Sequence, residues 1–399
     1  MSKKKKDDVV EQEEPSAKKG KAKADDGPPI SDEANRAAKL SALFKSANKT
    51  YGKNTLYSSE DYKFKSLHVI PTGITPLDYA LGGGLPVGRI SLFYGHKSTA
   101  KTTNILRIIG NAQKLCSDCW SYILPKTPDS EETSCSCGKK RKMVVAWLDV
   151  EGVWEDKWAK KFVTMGEDLL LSQPTSAEQT IDLAYAALKS EVDIIVIDSI
   201  AFMTSNKEQE NSAEEVTVGI QARLMGNAMR RFVSVTNQIG KETGRRPTII
   251  MTNQIRQKVG VMYGSNETVP GGLAAGFATS VEIKTSVGKY VTDDSIGGKT
   301  VSVTNYAKVE KNKMSVPKME AEWEVQLLDT DLRRAGDIID EGWSFTMGER
   351  AGLISVAPQN IECEGKRFRG RSLLETYWTE NPSDYYNFRI KLMAKLLSA

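Results

Sequence analysis

The stretch LFYGHKSTAKTT (residues 92–103) constrains this chain more than any other. A short apolar run reaches Gly95, a polar loop follows, and Lys101, Thr102 and Thr103 stand at the head of a segment that reads as helix. That order presents backbone N–H groups and a helix N-terminus to a phosphate, with a lysine for its charge and a hydroxyl for a metal ion. Gly95, His96, Lys97, Ser98, Thr99, Ala100, Lys101, Thr102 and Thr103 are therefore the candidate ATP-binding loop, with Mg2+ as its ion. Ala100 departs from the pattern G-x-x-x-x-G-K-[ST], which has glycine there. If the backbone needs a positive φ at that point, a Cβ costs on the order of 1 kcal/mol, so slower turnover is expected rather than loss of binding.

Apolar β-type runs at 144–150, 192–197 and 248–252 close on Glu151, on Asp198 with Ser199, and on Asn253 with Gln254. Helical segments at 180–189 and 218–235 alternate with them. The alternation predicts an α/β fold with a mostly parallel central sheet, and polar strand ends mark where such sheets bind ligands. Asp198 fits the carboxylate that shares the Mg2+ with Thr102; its plain alternative is a strand-end helix cap. Glu151 is the candidate to orient or deprotonate an attacking water, against a solvated loop carboxylate. Runs at 280–285, 299–309 and 320–328 alternate apolar and polar residues and extend the sheet. From about Gly336 the texture changes to short helices, with Tyr377, Tyr385, Tyr386 and Phe388 near basic residues, and a small C-terminal α/β domain is expected there.

The 399 residues are 40% hydrophobic, enough for one large domain and one or two small ones. No apolar run approaches the roughly 20 residues that span a bilayer, so no membrane partner is expected. The net charge of +4 is small, and any nucleic-acid role must rest on local basic surface. Lys3 to Lys6 lack an apolar stretch behind them and do not read as a secretory signal. Residues 1–34 are charge blocks with almost no large apolar residues and should form a disordered tail, either merely solvated or a weak tether to DNA. Ala37, Leu40, Leu43, Phe44 and Ala47 then recur at helical spacing up to Gly52, predicting an amphipathic helix within an arm over 35–69. Arg256 and Lys258 sit in a glycine-studded loop, and Arg223 and Arg230 share a helix face with Arg231 beside them. Cations on such elements suit phosphate tracking, and a solvated basic face is the alternative.

These residues are set among longer stretches: PTGITPLDYALGGGLPVGRI (71–90), WLDVE (147–151), LLLSQPTSAEQ (169–179), DIIVIDSI (193–200), ARLMGNAMRR (222–231), NQIRQKVGVMYGSNETVPGG (253–272) and KVEKNK (308–313). Collinear from about Ala37 onward, they resemble the RecA family of bacterial and phage recombinases. The resemblance implies a RecA-like P-loop NTPase core over 70–335, an N-terminal oligomerisation arm and a C-terminal domain over 336–399. It implies DNA-stimulated ATP hydrolysis, a helical filament on single-stranded DNA, and strand exchange with homologous duplex in repair and recombination. Under it Glu151 is the catalytic carboxylate, and Gln254 senses the γ-phosphate and signals to the DNA loop. Trp158 lies against adenine with Glu155 nearby, and Lys311 and Lys313 reach the neighbouring protomer's nucleotide. Arg223, Arg230, Arg256, Lys258, Val259, Gly271 and Gly272 match DNA-gripping positions. The first DNA loop, 207–216, is divergent and acidic here, and no contacts carry over. Many members carry an acidic segment beyond the point corresponding to Ala399, and readier uptake of duplex is expected without it. Single-strand-binding and loader proteins are further candidate partners, and a bacterial or phage-infected host cytoplasm is the expected location.

Where the resemblance implies a short turn, residues 114–142 carry Cys116-x-x-Cys119 and Cys135-x-Cys137. Four thiols so spaced suit structural zinc; reduced or redox-paired thiols are the alternative. Trp120, Tyr122 and the cations Lys139, Lys140, Arg141 and Lys142 are candidates to touch DNA or a partner protein. Cys363 stands apart and should be a buried, inert thiol. Two rivals remain: a hexameric helicase or branch-migration ATPase of the same superfamily, and a structural filament that scarcely hydrolyses ATP. KVEKNK and NQIRQK oppose the first; Glu151, Asp198 and Gln254 oppose the second.

Overall fold

The structure, a computed structural model, describes residues 32–52, 55–56, 68–125, 133–210, 219–257, 267–268, 276–358 and 360–398. The charged tail lies outside them except for 32–34, which are already helical. The chain divides into two compact units, 1–63 and 64–399. In the first, α1 (Asp32–Tyr51) has Asp32 and Glu33 in its first turn and Lys49 in its last, the arrangement the helix dipole favours. Gly52, at φ +96°, follows it. No residue of α1 is buried, and Leu40 and Leu43 of the amphipathic pattern face solvent.

The second unit is built on a nine-stranded sheet. Its strands in chain order are β1 (Ile90–Gly95), β2 (Val145–Asp149), β3 (Leu169–Ser172), β4 (Ile194–Asp198), β5 (Thr248–Gln254), β6 (Val281–Asp293), β7 (Lys299–Asn312), β8 (Glu320–Gln326) and β9 (Ile338–Ile339). They lie side by side as β9-β8-β7-β6-β1-β5-β4-β2-β3. Every pairing from β6 to β3 is parallel, and those from β6 to β9 are antiparallel. The sheet is thus mostly parallel, as the alternation predicts, with an antiparallel extension on one side.

β2 and β4 are buried at every position, and this is why they read as continuous apolar runs. Because successive side chains point to opposite faces, Trp147, Ile194 and Val196 join one core cluster while Leu148, Ile195 and Ile197 join another. The first cluster also takes Leu77 of α2 (Thr75–Leu81) and Ile105, Ile108 and Ile109 of α3 (Lys101–Ala112). The second takes Ile181 and Leu188 of α4 (Ala177–Lys189) and Met225, Met229 and Phe232 of α5 (Ile220–Thr243). Helices thus cover both faces and leave the strand ends open to a ligand.

Residues beyond 336 form α6 (Glu341–Arg350), β10 (Ile354–Ala357), β11 (Asn360–Cys363), β12 (Lys366–Phe368), α7 (Arg371–Glu380) and α8 (Pro382–Leu397). The three strands make an antiparallel sheet of their own. Phe345, Ile354, Leu374, Trp378 and Phe388 share a separate core with buried Cys363, whose thiol burial pushes up to about 11. Among the described residues no helix is long and apolar enough to cross a membrane.

One glycine fixes how α3 sits. A Cβ built on Gly110 would overlap the Phe162 carbonyl, so the helix and the segment behind it touch backbone to backbone. Alanine favours a helix interior over glycine by up to about 1 kcal/mol, but overpacking costs about 1–3 kcal/mol and here meets unyielding backbone. Gly110→Ala is therefore expected to lower unfolding stability by about 1–2 kcal/mol in urea denaturation; a stabilised variant would show that the contact yields freely.

Candidate nucleotide-binding site and four-cysteine centre

The loop between β1 and α3 is shaped by one close approach and two unusual backbone angles. A Cβ on Gly95 would overlap the Thr285 carbonyl of the neighbouring strand, so glycine is required where the loop leaves the sheet. Ser98 and Ala100 both adopt positive φ, +57° and +55°. Ala100 is the N-cap of α3 in the left-handed conformation, without a side-chain cap bond. The condition under which alanine is disfavoured is thus met here.

The ammonium of Lys101 lies in the turn of the loop, donating to the carbonyls of His96 (2.7 Å) and Gly95 (3.4 Å) and to Thr99 Oγ1 (3.3 Å). Burial holds this lysine below its usual value, opposed by the charges of Asp198 and Glu151. Thr102 Oγ1 donates to Asp198 Oδ2 at 2.7 Å, and Thr252 donates to the other carboxylate oxygen. Burial pushes Asp198 above the ordinary carboxylate range; the Thr252 and Thr102 hydrogen bonds pull it back, and Glu151 and Asp149 push it further up. Glu151 Oε1 accepts from Ser199 Oγ (2.6 Å) and from Gln254 Nε2 (3.1 Å). Asp149 holds the loop that carries Glu151 by accepting from the N–H groups of Val153 and Trp154 and from Gln173.

Lys97, Ser98, Thr99, Ala100, Lys101, Thr102, Thr103, Glu151, Asp198 and Gln254 line one pocket, together with Phe202. Anionic oxygens fit its loop and lysine, and a hydroxyl beside a carboxylate is the hard-oxygen donor set that suits Mg2+. Trp158 and Glu155 stand outside that lining. Trp158 Nε1 donates to Thr103 Oγ1 at 3.3 Å and the ring packs on Phe162, while Glu155 caps the short helix Asp156–Ala159 by accepting from Lys157 N. Lys311 and Lys313 lie beyond the pocket, at the end of β7. Lys311 pairs with Glu282 at 3.5 Å, and Lys313 donates to the Phe277 carbonyl at 3.4 Å. Ser199, Thr252, Asp149 and Phe202 are the contributors that sequence reasoning gave no role. Position next to Asp198 was the signal for Ser199; Thr252 and Phe202 carry none short of the fold.

Gln254 ends β5, and an antiparallel ribbon follows at once, pairing Arg256 with Thr268 and Gln257 with Glu267. Arg256 also donates to the Ala201 carbonyl at 3.2 Å. Lys258, Val259, Gly271 and Gly272 lie outside the described residues, as does the acidic loop beyond Glu210. Arg223 and Arg230 are exposed on α5 at a spacing of seven, one face of the helix. Arg231 instead lies over the Tyr185 ring, 4.6 Å from its centroid.

The four cysteines converge although twenty-one residues separate the first from the last. Their sulfurs all lie within 4.8 Å of one another, with Cys116–Cys137 and Cys135–Cys137 at 3.7 Å. A disulfide needs about 2.05 Å, whereas thiolates on a tetrahedral ion at about 2.3 Å stand about 3.8 Å apart. Lys140 N also points at Cys135 Sγ, at 3.4 Å.

A phosphate loop, a strand-end carboxylate and a helix-covered parallel sheet define a P-loop NTPase. The family described as RecA N-terminal domain matches residues 38–123 and 126–330. "Protein RecA" of Tropheryma whipplei (strain Twist) is 34% identical over 346 residues, covering 86% of this chain and 71% of that protein. The Campylobacter lari protein is 33% identical over 88% of this chain and 90% of its own, and the Streptomyces coelicolor one 32% over 91% and 86%. The chain belongs to the RecA family.

Because the fold raises the pKa of Asp198, stability is lost as pH rises from its unfolded value through the raised folded value, and above that the loss is complete. Asp198→Asn keeps an acceptor for one threonine and removes the buried charge. At pH 8 and without nucleotide, the variant should melt no lower than the parent and lose the stabilisation that Mg-ATP gives. Melting several degrees lower would show that the two threonine hydrogen bonds outweigh desolvation.

Proposed function

We propose that this chain is a RecA recombinase that assembles on single-stranded DNA with ATP, pairs it with homologous duplex and exchanges strands. The observation that carries the reading is the hydrogen bond between Gln254 and Glu151, two residues ahead of the ribbon that holds Arg256. It ties the group beside the reacting phosphate to the loop that would hold DNA, so occupancy of one changes the constraint on the other.

In this reading the loop from Gly95 to Ala100 cradles the phosphates through its N–H groups, and Lys101 moves from the loop carbonyls onto their charge. Thr102 and Asp198 would hold Mg2+, which when bound neutralises phosphate charge. Glu151 takes the proton of the attacking water while Gln254 and Ser199 fix its orientation. Trp158 and Glu155 serve the adenine. Lys311 and Lys313 act across a subunit boundary on developing charge, and a lone chain would then hydrolyse ATP poorly. Arg223, Arg230, Arg256, Lys258, Val259, Gly271 and Gly272 face DNA. The arm carrying α1, with its exposed leucines, joins neighbouring protomers, and the four thiolates hold zinc. Single-strand-binding and loader proteins complete the partners, and the cytoplasm is the compartment. Neither the helicase reading nor the inert-filament reading is favoured, since the family match covers most of the chain and the Glu151–Gln254 pair is in place.

Lys101→Ala should abolish ATP-dependent strand exchange, and exchange at the parent rate would refute the site. Ala100→Gly relieves a left-handed alanine worth about 1 kcal/mol, enough for roughly a fivefold rise in DNA-stimulated hydrolysis if the strain persists into the transition state. An unchanged or lower rate would show that the loop carries no kinetic penalty.

A further inference from the structure

We propose that the four-cysteine insertion is a metal-tied internal staple, in which zinc on Cys116, Cys119, Cys135 and Cys137 holds Trp120 and Tyr122 in the seam between α3, segment 68–73 and α8. The proposal rests on the zinc reading above and adds what the metal does.

The insertion points its aromatic residues inward. Trp120 and Tyr122 are partly buried and pack against the core cluster that includes α2 and α3. Asn111, in the last turn of α3, donates to Tyr122 Oη at 3.0 Å and to the Pro71 carbonyl at 2.7 Å, and Tyr122 donates back to Asn111 Oδ1 at 3.3 Å. The Tyr122 ring meets Tyr386 of α8 edge-on, with centroids 6.3 Å apart. Trp120 stacks on His68, also at 6.3 Å. One tyrosine therefore touches the P-loop helix and the last helix of the chain, and its hydrogen-bond partner reaches the segment before α2.

The backbone holding this pair is unfavourable without a clamp. Trp120 has φ +60°, a region that a bulky residue rarely adopts. It lies directly after Cys119, and its N–H donates to the Cys116 carbonyl at 2.7 Å, so the turn is bounded by two of the four thiols. A tetrahedral ion on the four thiols would cross-link the two ends of the insertion and hold this turn in place.

Arg141, within the cationic edge, is turned to protein as well. Arg141 lies 3.6 Å from Asp118, 3.2 Å from Glu191 and 3.5 Å from Asp193, and Lys139 lies 3.7 Å from Asp118. Asp193 in turn accepts from Ser117 Oγ at 2.5 Å and from Val144 N at 2.9 Å, anchoring the insertion to the strands that lead into the site. With its aromatics packed against the core and Arg141 paired with three carboxylates, the insertion is built to hold this chain together.

The test uses the full chain purified with Zn2+, with metal content and hydrogen exchange read on the same samples. One equivalent of zinc is expected. Chelation, or Cys119→Ser with Cys137→Ser, should remove it and speed amide exchange in α8 and in 68–73 by roughly fivefold, leaving β4 and β5 unchanged. Tyr122→Ala should keep the zinc and give the same acceleration. Should the cysteine variant fail to fold, chelation of the parent and Tyr122→Phe, which removes only the Asn111 hydrogen bonds, carry the test. Zinc lost with exchange in α8 and 68–73 unchanged would overturn the staple and leave the zinc reading standing. Weakened DNA binding in that case would assign the insertion to DNA. A chain that takes up no zinc overturns both.

Discussion

The hydrogen bond from Thr102 to Asp198 joins the first turn of α3 to the end of β4, and the rest of the site is arranged about it. Asp198 is almost fully buried, and a buried carboxylate is tolerated only with hydrogen-bond donors around it. Thr102 and Thr252 supply them from two different elements. The same carboxylate is in register with Asp149 on the adjoining strand, and Asp149 positions the loop of Glu151. The site is thus a set of mutually dependent strand ends, in which the unfavourable burial of Asp198 is the feature a bound cation would relieve.

The parallel half of the sheet gives this set its reach. Gly95 stands opposite Gln254 in the pairing of β1 with β5, and Ile255 N donates to the Gly95 carbonyl at 3.0 Å. The phosphate loop and the ribbon that carries Arg256 therefore leave the sheet from adjacent positions on neighbouring strands. One backbone hydrogen bond joins the two directly, and Gln254 also meets Glu151 at the end of β2. The sheet core behind them, buried on both faces, does not yield, so displacement is confined to the loops.

How far the sequence disclosed this differs by element, for physical reasons. The strands β2 and β4 and the helices α3, α4 and α5 were readable because double-sided burial and helical periodicity leave strong patterns. The three short strands β10 to β12 were not separated from the helices around them, since three- to four-residue segments carry too few alternations. Within the site, the residues proposed to hold ligands announce themselves by motif, but Thr252 and Phe202 enter only through sheet register and chain reversal. Trp120 and Tyr122 read as exposed aromatics beside cations. Their inward placement depends on Asn111 and Tyr386, which are remote or unrelated in pattern.

α3 ties these threads together, because its two ends meet different parts of the chain. Its N-terminus carries Lys101 and Thr102 under a strained Ala100, and its last turn carries Asn111 against Tyr122 and Pro71. Between them Gly110 locks the helix against the Phe162 backbone, which leaves little freedom to rotate. The left-handed alanine at one end of α3 and the insertion at the other therefore belong to one element, held against rotation at Gly110.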